Sequence, residues 1–215
     1  LYLVEPKIET GPHEIRSPLT LFKLAVKHIR NSPKLVGMFI NKTLILIPGS
    51  HIFGLLWQPY LKTSGVSVAL FGALTAIASL IIFLLSRNID KIESKVNGRK
   101  IIFYTGLLPL LAFVLGAYFE NIIAALIFYF IIKIMIWLRD PIFSQYMNEH
   151  IESHNRATVL SSLSMIDSLF DVIIFLSAGF ITNISISYSF LFSAGLMLIA
   201  LVFFRVTKEH IKVTT

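Results

Sequence analysis

The residues of this chain that can do chemistry are ionisable side chains inside stretches that are otherwise apolar. They are the three cations Lys42, Lys133 and Arg139 and the three carboxylates Asp140, Asp167 and Asp171. A charge at the centre of a membrane costs at least about 2.5 kcal/mol on insertion scales, so such groups are kept where they pair, line a water-filled cavity or take part in function. These six side chains are therefore the first candidates for a functional site.

Asp167 and Asp171 are four residues apart, so they share one face of a helix. Two carboxylates this close shift each other's proton affinity, and we expect one of them to titrate or to bind a cation during a transport cycle. Residue counting from the helix ends puts Lys133 level with Asp171 and Arg139 level with Asp167, which makes these cations the predicted counter-charges. A fixed ion-pair network between two helices is the alternative.

The first apolar stretch carries two further candidates. Lys42 lies about 10 Å from the inner end of its helix, close enough for its long side chain to reach the membrane interface, which favours a role in topology. His51 lies deeper and is able to relay a proton near neutral pH, although a neutral histidine bonded to a neighbouring helix is the favoured interpretation. The dipeptide Pro48-Gly49 just before it predicts a kink.

Motifs of enzymes and metal sites are missing from the sequence. It contains no Walker loop, no His-Glu-x-x-His, no Gly-x-Ser-x-Gly and no Gly-x-Gly-x-x-Gly. The absence of cysteine excludes disulfides and thiolate metal sites. His150 and His154 are four residues apart beside Glu149 and Glu152, but no third convergent ligand is in view and a solvated turn is the better interpretation. We therefore predict no enzymatic activity, no cofactor and no metal.

The composition indicates which elements position these residues. Of 215 residues, 55% are hydrophobic and 14% are charged, and the mean hydropathy is +0.77. A soluble domain has roughly a quarter of its residues charged. A bilayer core of about 30 Å needs about 20 helical residues, and apolar stretches of about this length are predicted at 35–57, 66–85, 101–119, 122–146, 158–181 and 187–206. Short connections make consecutive helices antiparallel. The predicted fold is an all-α polytopic membrane protein with six transmembrane helices.

Positive charge predicts the orientation of these helices. Fifteen of the 19 lysines and arginines fall on one side of the predicted membrane, whereas the other side has only Lys62. Cytoplasmic loops retain positive charge, so both termini are predicted to be cytoplasmic, and the net charge of +7 needs no nucleic-acid partner.

Three segments follow from this topology. Residues 35–206 form the bundle, and residues 207–215 form a cytoplasmic tail. Residues 1–34 are expected to contain the end of a preceding helix, which predicts that the chain is a fragment, followed by a linker. Within the linker, residues 19–30 are predicted to form an amphipathic helix on the membrane surface or, alternatively, a soluble helix packed on the protein.

Several short motifs are similar to those of a known family. Asp90-Lys91 followed by Gly98-Arg99-Lys100 is similar to the cytoplasmic loop signature of the major facilitator superfamily, although six residues separate the two pieces here and the leading glycine is absent. Trp57 to Leu61, Arg139-Asp140-Pro141 and Asn155 to Ser161 are similar to bacterial members. The chain thus resembles the C-terminal half of such a transporter, a bundle of three plus three helices.

The resemblance implies secondary active transport by alternating access in the plasma membrane. The expected partners are a small organic solute, protons and the N-terminal half of the same protein, and efflux by antiport is the expected direction. In this family, helices seven, eight, ten and eleven line or border the central cavity, which would place Lys42, His51, Lys133, Asp167 and Asp171 beside it. The alternative is a six-helix membrane scaffold that transports nothing and binds lipid or a partner through its basic segments.

Overall fold

The computed structural model describes residues 33–151 and 156–207, apart from the side chains of Asp90 and Ser94. Within these ranges the chain forms eight α-helices. They are α1 (Pro33–Ile47), α2 (Phe53–Thr63), α3 (Phe71–Arg87), α4 (Ile89–Lys95), α5 (Gly98–Tyr118), α6 (Ile122–Glu149), α7 (Arg156–Thr182) and α8 (Ile186–Phe203). A π-helical turn (Pro48–Ile52) joins α1 to α2, and a short 3₁₀ turn (Val68–Leu70) precedes α3. The predicted linker with its surface helix lies almost entirely outside the described residues, as does all but the first residue of the predicted tail.

Six helical segments of the described chain are long and apolar enough to cross a membrane. They are Pro33–Thr63, Val68–Arg87, Gly98–Tyr118, Ile122–Glu149, Arg156–Thr182 and Ile186–Phe203. Each contains or closely matches one of the six predicted spans, so the prediction of an all-α, multi-pass membrane bundle is confirmed.

The first span is longer than predicted, because the segment expected to be a loop after residue 57 continues as helix α2 to Thr63. Tyr60 explains this extension. Its buried ring packs against Phe128 and Phe190, and its hydroxyl donates to the carbonyl of Phe119 at 2.6 Å. The last turn of α2 is therefore anchored to the bundle.

The best-packed part of the bundle surrounds α5, which lies against both α6 and α8. Three fully buried rings meet there, with centroids 4.6 to 5.6 Å apart: Phe113, Phe128 and Phe190. Between helices in lipid, close packing of this kind is the main attraction. By contrast, α3 and α7 bury few of their side chains. The bundle therefore has a packed side and an open side.

The predicted kink in the first span takes the form of the π-helical turn. Pro48 has no backbone N–H to donate to the preceding turn, and the helix widens at this point. Gly49 is required for the packing of the turn, because a Cβ atom at this position would overlap the side chain of Ile136 on α6. The wide turn leaves Ser50 and His51 exposed on the open side.

Candidate functional site

A cavity of about 740 Å³ opens among four of the membrane-spanning segments. Its walls come from α1 with the π-helical turn, the end of α3 with the first residue of α4, α6 and α7. The lining residues are Lys42, Leu46, Ile47, Ser50, His51, Ser86, Ile89, Ile136, Trp137, Asp140, Pro141 and Asp167. The spans that contribute are the first, second, fourth and fifth of the six. Of the five residues that the family resemblance predicts beside a cavity, Lys42, His51 and Asp167 line this one, whereas Lys133 and Asp171 are not in its lining.

The shortest contact between ionisable side chains on the open side joins His51 to Asp171. The His51 Nδ1 atom lies 2.5 Å from Asp171 Oδ1, and the two side chains are 51% and 34% exposed. At 1.5 Å per residue, His51 is about 27 Å from the start of α1 and Asp171 about 22 Å from the start of α7. A pair this deep in a membrane needs water or another polar surface around it. At this separation the imidazole and the carboxylate form a direct hydrogen bond.

Asp167, one turn before Asp171, is also held by the first span. The Thr43 hydroxyl donates to Asp167 Oδ1 at 2.6 Å. Both carboxylates of α7 therefore have their partners on the first span and not on α6. In the described chain Lys133 and Arg139 pair with neither of them, so the predicted counter-charges are wrong.

Lys42 has an ionic partner across the cavity. Its Nζ atom lies 3.5 Å from Asp140 Oδ1, and the side chains are 21% and 58% exposed. The sequence favours a topological role in which this lysine reaches the membrane interface. The structure instead places its amino group on the cavity wall, beside a carboxylate of α6.

Lys133 and Arg139 lie on different faces of α6. Lys133 is half-buried, and its Nζ atom is 5.9 Å from the centre of the Trp137 ring, one turn along the same helix. Arg139 is fully buried. Six residues rotate a helix by about 240°, so the two side chains cannot face the same neighbour.

The buried Arg139 joins three helices. Its guanidinium donates to the Ile102 carbonyl at 2.5 Å and to the Thr105 hydroxyl at 3.1 Å on α5, and to the Asn41 amide oxygen on α1. It also lies 4.8 Å from the ring centre of Phe143. Arg139 is therefore a packing residue of the packed side of the bundle and does not line the large cavity. Asn41, Thr43 and Thr105 were not predicted from the sequence, where their signal is a polar residue inside an apolar span.

Helix α7 carries a polar stripe along its exposed side. Ser161, Ser164 and Ser168 are exposed, and with Asp171 they recur every three or four residues. This spacing places them on one helix face. The stripe runs from the end of the helix near Arg156 to the level of the His51 contact. It extends the polar surface of the cavity along the open side of the bundle.

The predicted gating-loop residues are distributed over two helices. Lys91 lies on α4, and the side chain of its neighbour Asp90 is among those not described. Gly98 is buried at the start of α5, where a Cβ atom would overlap the Tyr146 hydroxyl. That hydroxyl donates to Glu93 of α4, a residue that the sequence analysis missed. This contact docks α4 on the end of α6. Arg99 and Lys100 line a second, smaller pocket.

The described residues contain no group of three or more histidine, aspartate or glutamate side chains that could hold a metal ion. His150 lies with Nδ1 2.9 Å from the Tyr146 carbonyl. Glu152 and His154, the other members of that predicted cluster, are outside the described residues.

Comparison with known proteins returned no match, whether with family models, with curated proteins or with solved structures.

Proposed function

We propose that this chain is one half of a secondary active transporter that moves a small organic solute in exchange for protons. The observation that carries the proposal is the ring of ionisable side chains around the cavity of about 740 Å³, at membrane depth and open on one side. Cavities that hold small molecules typically measure about 300–1,000 Å³. The proposal requires no catalytic group and no cofactor.

The open side of the bundle supports a second helical bundle as the partner of this one. Exposed groups such as Ser50, His51 and Ser168 would each cost free energy against lipid tails. A second helical bundle placed against this side would cover them and would leave the cavity as a water-filled space between two halves. The N-terminal half of a longer protein is the partner that we propose. Rocking of the two halves would then open the cavity alternately to each side of the membrane.

The His51–Asp171 contact supports proton coupling. A protonated imidazole forms an ion pair with the carboxylate. When the imidazole loses that proton, its N–H can form only a weaker hydrogen bond to the carboxylate, and its unprotonated nitrogen repels it. Because the contact joins the π-helical turn to α7, protonation changes how strongly the first and fifth spans are held together. A ligand or a proton shifts a conformational equilibrium only by binding the two states differently. This contact provides such a difference.

The charges of the lining favour an organic cation as the first solute to test. Lys42 and Asp140 balance each other, which leaves Asp167 on the cavity wall and Asp171 one turn along the same helix.

The distribution of positive charge supports an orientation with the ends of this chain in the cytoplasm, because Arg87, Arg99 and Arg156 share one side. The plasma membrane is the location that we propose. Export of the solute against proton entry is the direction that we propose.

Counterflow tests the proposal. Liposomes that contain the complete natural protein and unlabelled tetraphenylphosphonium should accumulate labelled tetraphenylphosphonium, and a proton gradient should drive the accumulation further. Parallel assays use labelled amines, carboxylates and sugars. Liposomes that exchange none of these solutes would contradict transport and would favour a membrane scaffold.

A further inference from the structure

A second pocket, of about 220 Å³, lies on the packed side of the bundle between α1, α5 and the end of α8. Three cationic side chains line it: Arg99 and Lys100 from the first turn of α5, and Arg205 just after α8. Among the described residues, its lining contains no carboxylate. Three positive charges around one small concave surface make it a site for an anion.

Hydrogen bonds and a ring contact position Arg205. The Asn41 amide donates to the carbonyls of Ala200 and Phe204, both at 2.9 Å, and so fixes the last turn of α8 from which Arg205 extends. The Arg205 guanidinium lies 5.5 Å from the ring centre of Phe103. Behind Asn41, the buried Arg139 donates to its amide oxygen and adds a fourth positive charge to the electrostatic potential of the pocket.

The surroundings of the pocket are apolar and outward-facing. Tyr104 on α5, which lines the pocket, is 51% exposed, and Val202 and Phe203 at the end of α8 are 60% and 75% exposed. An anion in the pocket would therefore sit beside side chains suited to lipid tails. Aromatic side chains at this position are typical of the membrane interface.

We propose that this pocket binds the phosphate of an anionic phospholipid, with the acyl chains along the exposed side chains of α5 and α8. Arginine suits this role because its planar guanidinium donates two parallel hydrogen bonds to phosphate oxygens. Basic pockets between transmembrane helices at the cytoplasmic side are known to bind anionic headgroups. The site is separate from the large cavity, and the proposal does not depend on transport.

Native mass spectrometry of the complete natural protein in detergent tests the proposal, with phosphatidylglycerol and phosphatidylcholine titrated separately. Each cation near a membrane surface contributes about 1 kcal/mol, so replacing Arg99, Lys100 and Arg205 with glutamine should weaken phosphatidylglycerol binding on the order of 100-fold. The control variant, with Lys34, Arg87 and Arg156 replaced by glutamine, has the same change in net charge outside the pocket and should retain most of the binding. Phosphatidylcholine binding should change little in either variant.

Equal losses in the two triple variants would overturn the proposal, since they would show attraction by overall charge alone. A second arm adds soluble glycerol phosphate. If it displaced phosphatidylglycerol at equal concentration, the pocket would be a site for a free phosphate and not for a lipid. If the triple variant failed to fold, the exposed Lys100 alone, as Lys100→Gln, should weaken binding about fivefold, and an unchanged affinity would contradict the site.

Discussion

His51 and Asp171 are 120 residues apart in the sequence, yet their side chains are separated by 2.5 Å. One belongs to a π-helical turn that exists because of Pro48, and the other belongs to the polar stripe of α7. The pair therefore joins an irregular, adaptable segment to a regular helix. Such turns are frequent at functional sites, because the wider backbone aims a side chain where an α-helix would not.

Replacing Asp171 with asparagine should abolish proton-driven transport by the complete natural protein. Asparagine has nearly the same shape and can still bond to the His51 imidazole. Its side chain carries no charge, however, and cannot take up a proton as a carboxylate does. Insertion into the membrane should be unaffected or improved, because a charge within a membrane-spanning helix is removed. Proton-driven uptake into liposomes and membrane-fraction yield measure the two effects.

Asp171→Glu serves as the conservative control and should retain part of the coupling. Ser168→Ala, one turn away on the same face, should transport like the natural protein. Unimpaired proton-driven uptake by Asp171→Asn would rule out this carboxylate as the coupling group.

The pH dependence of transport should flatten when His51 is replaced with glutamine. The imidazole can take up a second proton, whereas glutamine keeps a hydrogen-bonding group that has no such proton to gain or lose. The charged groups around His51 are Asp171 and Asp167 on α7, Lys42 on α1 and Asp140 on α6. Initial rates of uptake between pH 5 and 8 test this prediction.

His150→Gln is the matched control for that experiment, since His150 lies outside the cavity and contacts the Tyr146 carbonyl. Its pH profile should match that of the natural protein. A His51→Gln profile with the natural slope would assign the pH dependence to another group.

The fold could be predicted from the sequence because apolar stretches of about 20 residues have few alternatives in a membrane. The pairing of the charges could not. Residue counting gives the depth of Lys133 and Arg139 along α6, but each residue also turns the helix by about 100°. That rotation directs Lys133 along its own helix towards Trp137 and buries Arg139 against α5.

The partners that Asp167 and Arg139 have on the first span could not be predicted for a different reason. Thr43, which binds Asp167, is neutral, and an apolar span tolerates a threonine at little cost. Asn41 gave a stronger signal, because its amide needs partners in lipid, but the sequence does not show that these partners are Arg139 and the end of α8. Long-range side-chain contacts depend on helix packing, which the apolar pattern does not specify.

Arg139 and the adjacent Asp140 should differ sharply in their effect on stability. Arg139→Ala leaves the Asn41 amide oxygen without its donor and opens a cavity in the packed side, which should cost about 3 kcal/mol or more. Asp140→Ala removes only the exposed pair with Lys42, whose contribution should be below about 1 kcal/mol. Thermal denaturation in detergent, followed by tryptophan fluorescence, compares the variants. Similar midpoints for the two would contradict the structural role of Arg139.

Cysteine labelling tests the topology, because the natural chain contains no cysteine. Lys62 and Lys34 are both exposed and lie at opposite ends of the first span. In intact cells, a membrane-impermeant maleimide should label Lys62→Cys, and Lys34→Cys should react only after the membrane is permeabilised. The protein without either substitution sets the background labelling in both conditions. The reverse pattern would invert the orientation and would place the anionic-lipid pocket on the outer leaflet.

The contact between Gly98 and Tyr146 should be visible as an energetic coupling. A Cβ atom at Gly98 would overlap the Tyr146 hydroxyl and lie 3.0 Å from the ring carbon that carries it. Alanine is the better helix former, but Gly98→Ala should still lower stability by about 1–3 kcal/mol, because Tyr146 must move and lose its bond to Glu93.

In the Tyr146→Phe background the hydroxyl and its hydrogen bond are already gone, so the same change at Gly98 should cost about 1 kcal/mol less. Thermal denaturation of the natural protein, the two single variants and the double variant completes the cycle. Additive effects would mean that Tyr146 can move without any loss of stability and that another contact docks α4 on α6. A smaller cost of Gly98→Ala in the Tyr146→Phe background would show that Gly98 is needed for the close approach of Tyr146. This packing requirement holds whether or not the segment around Gly98 also acts as a gate.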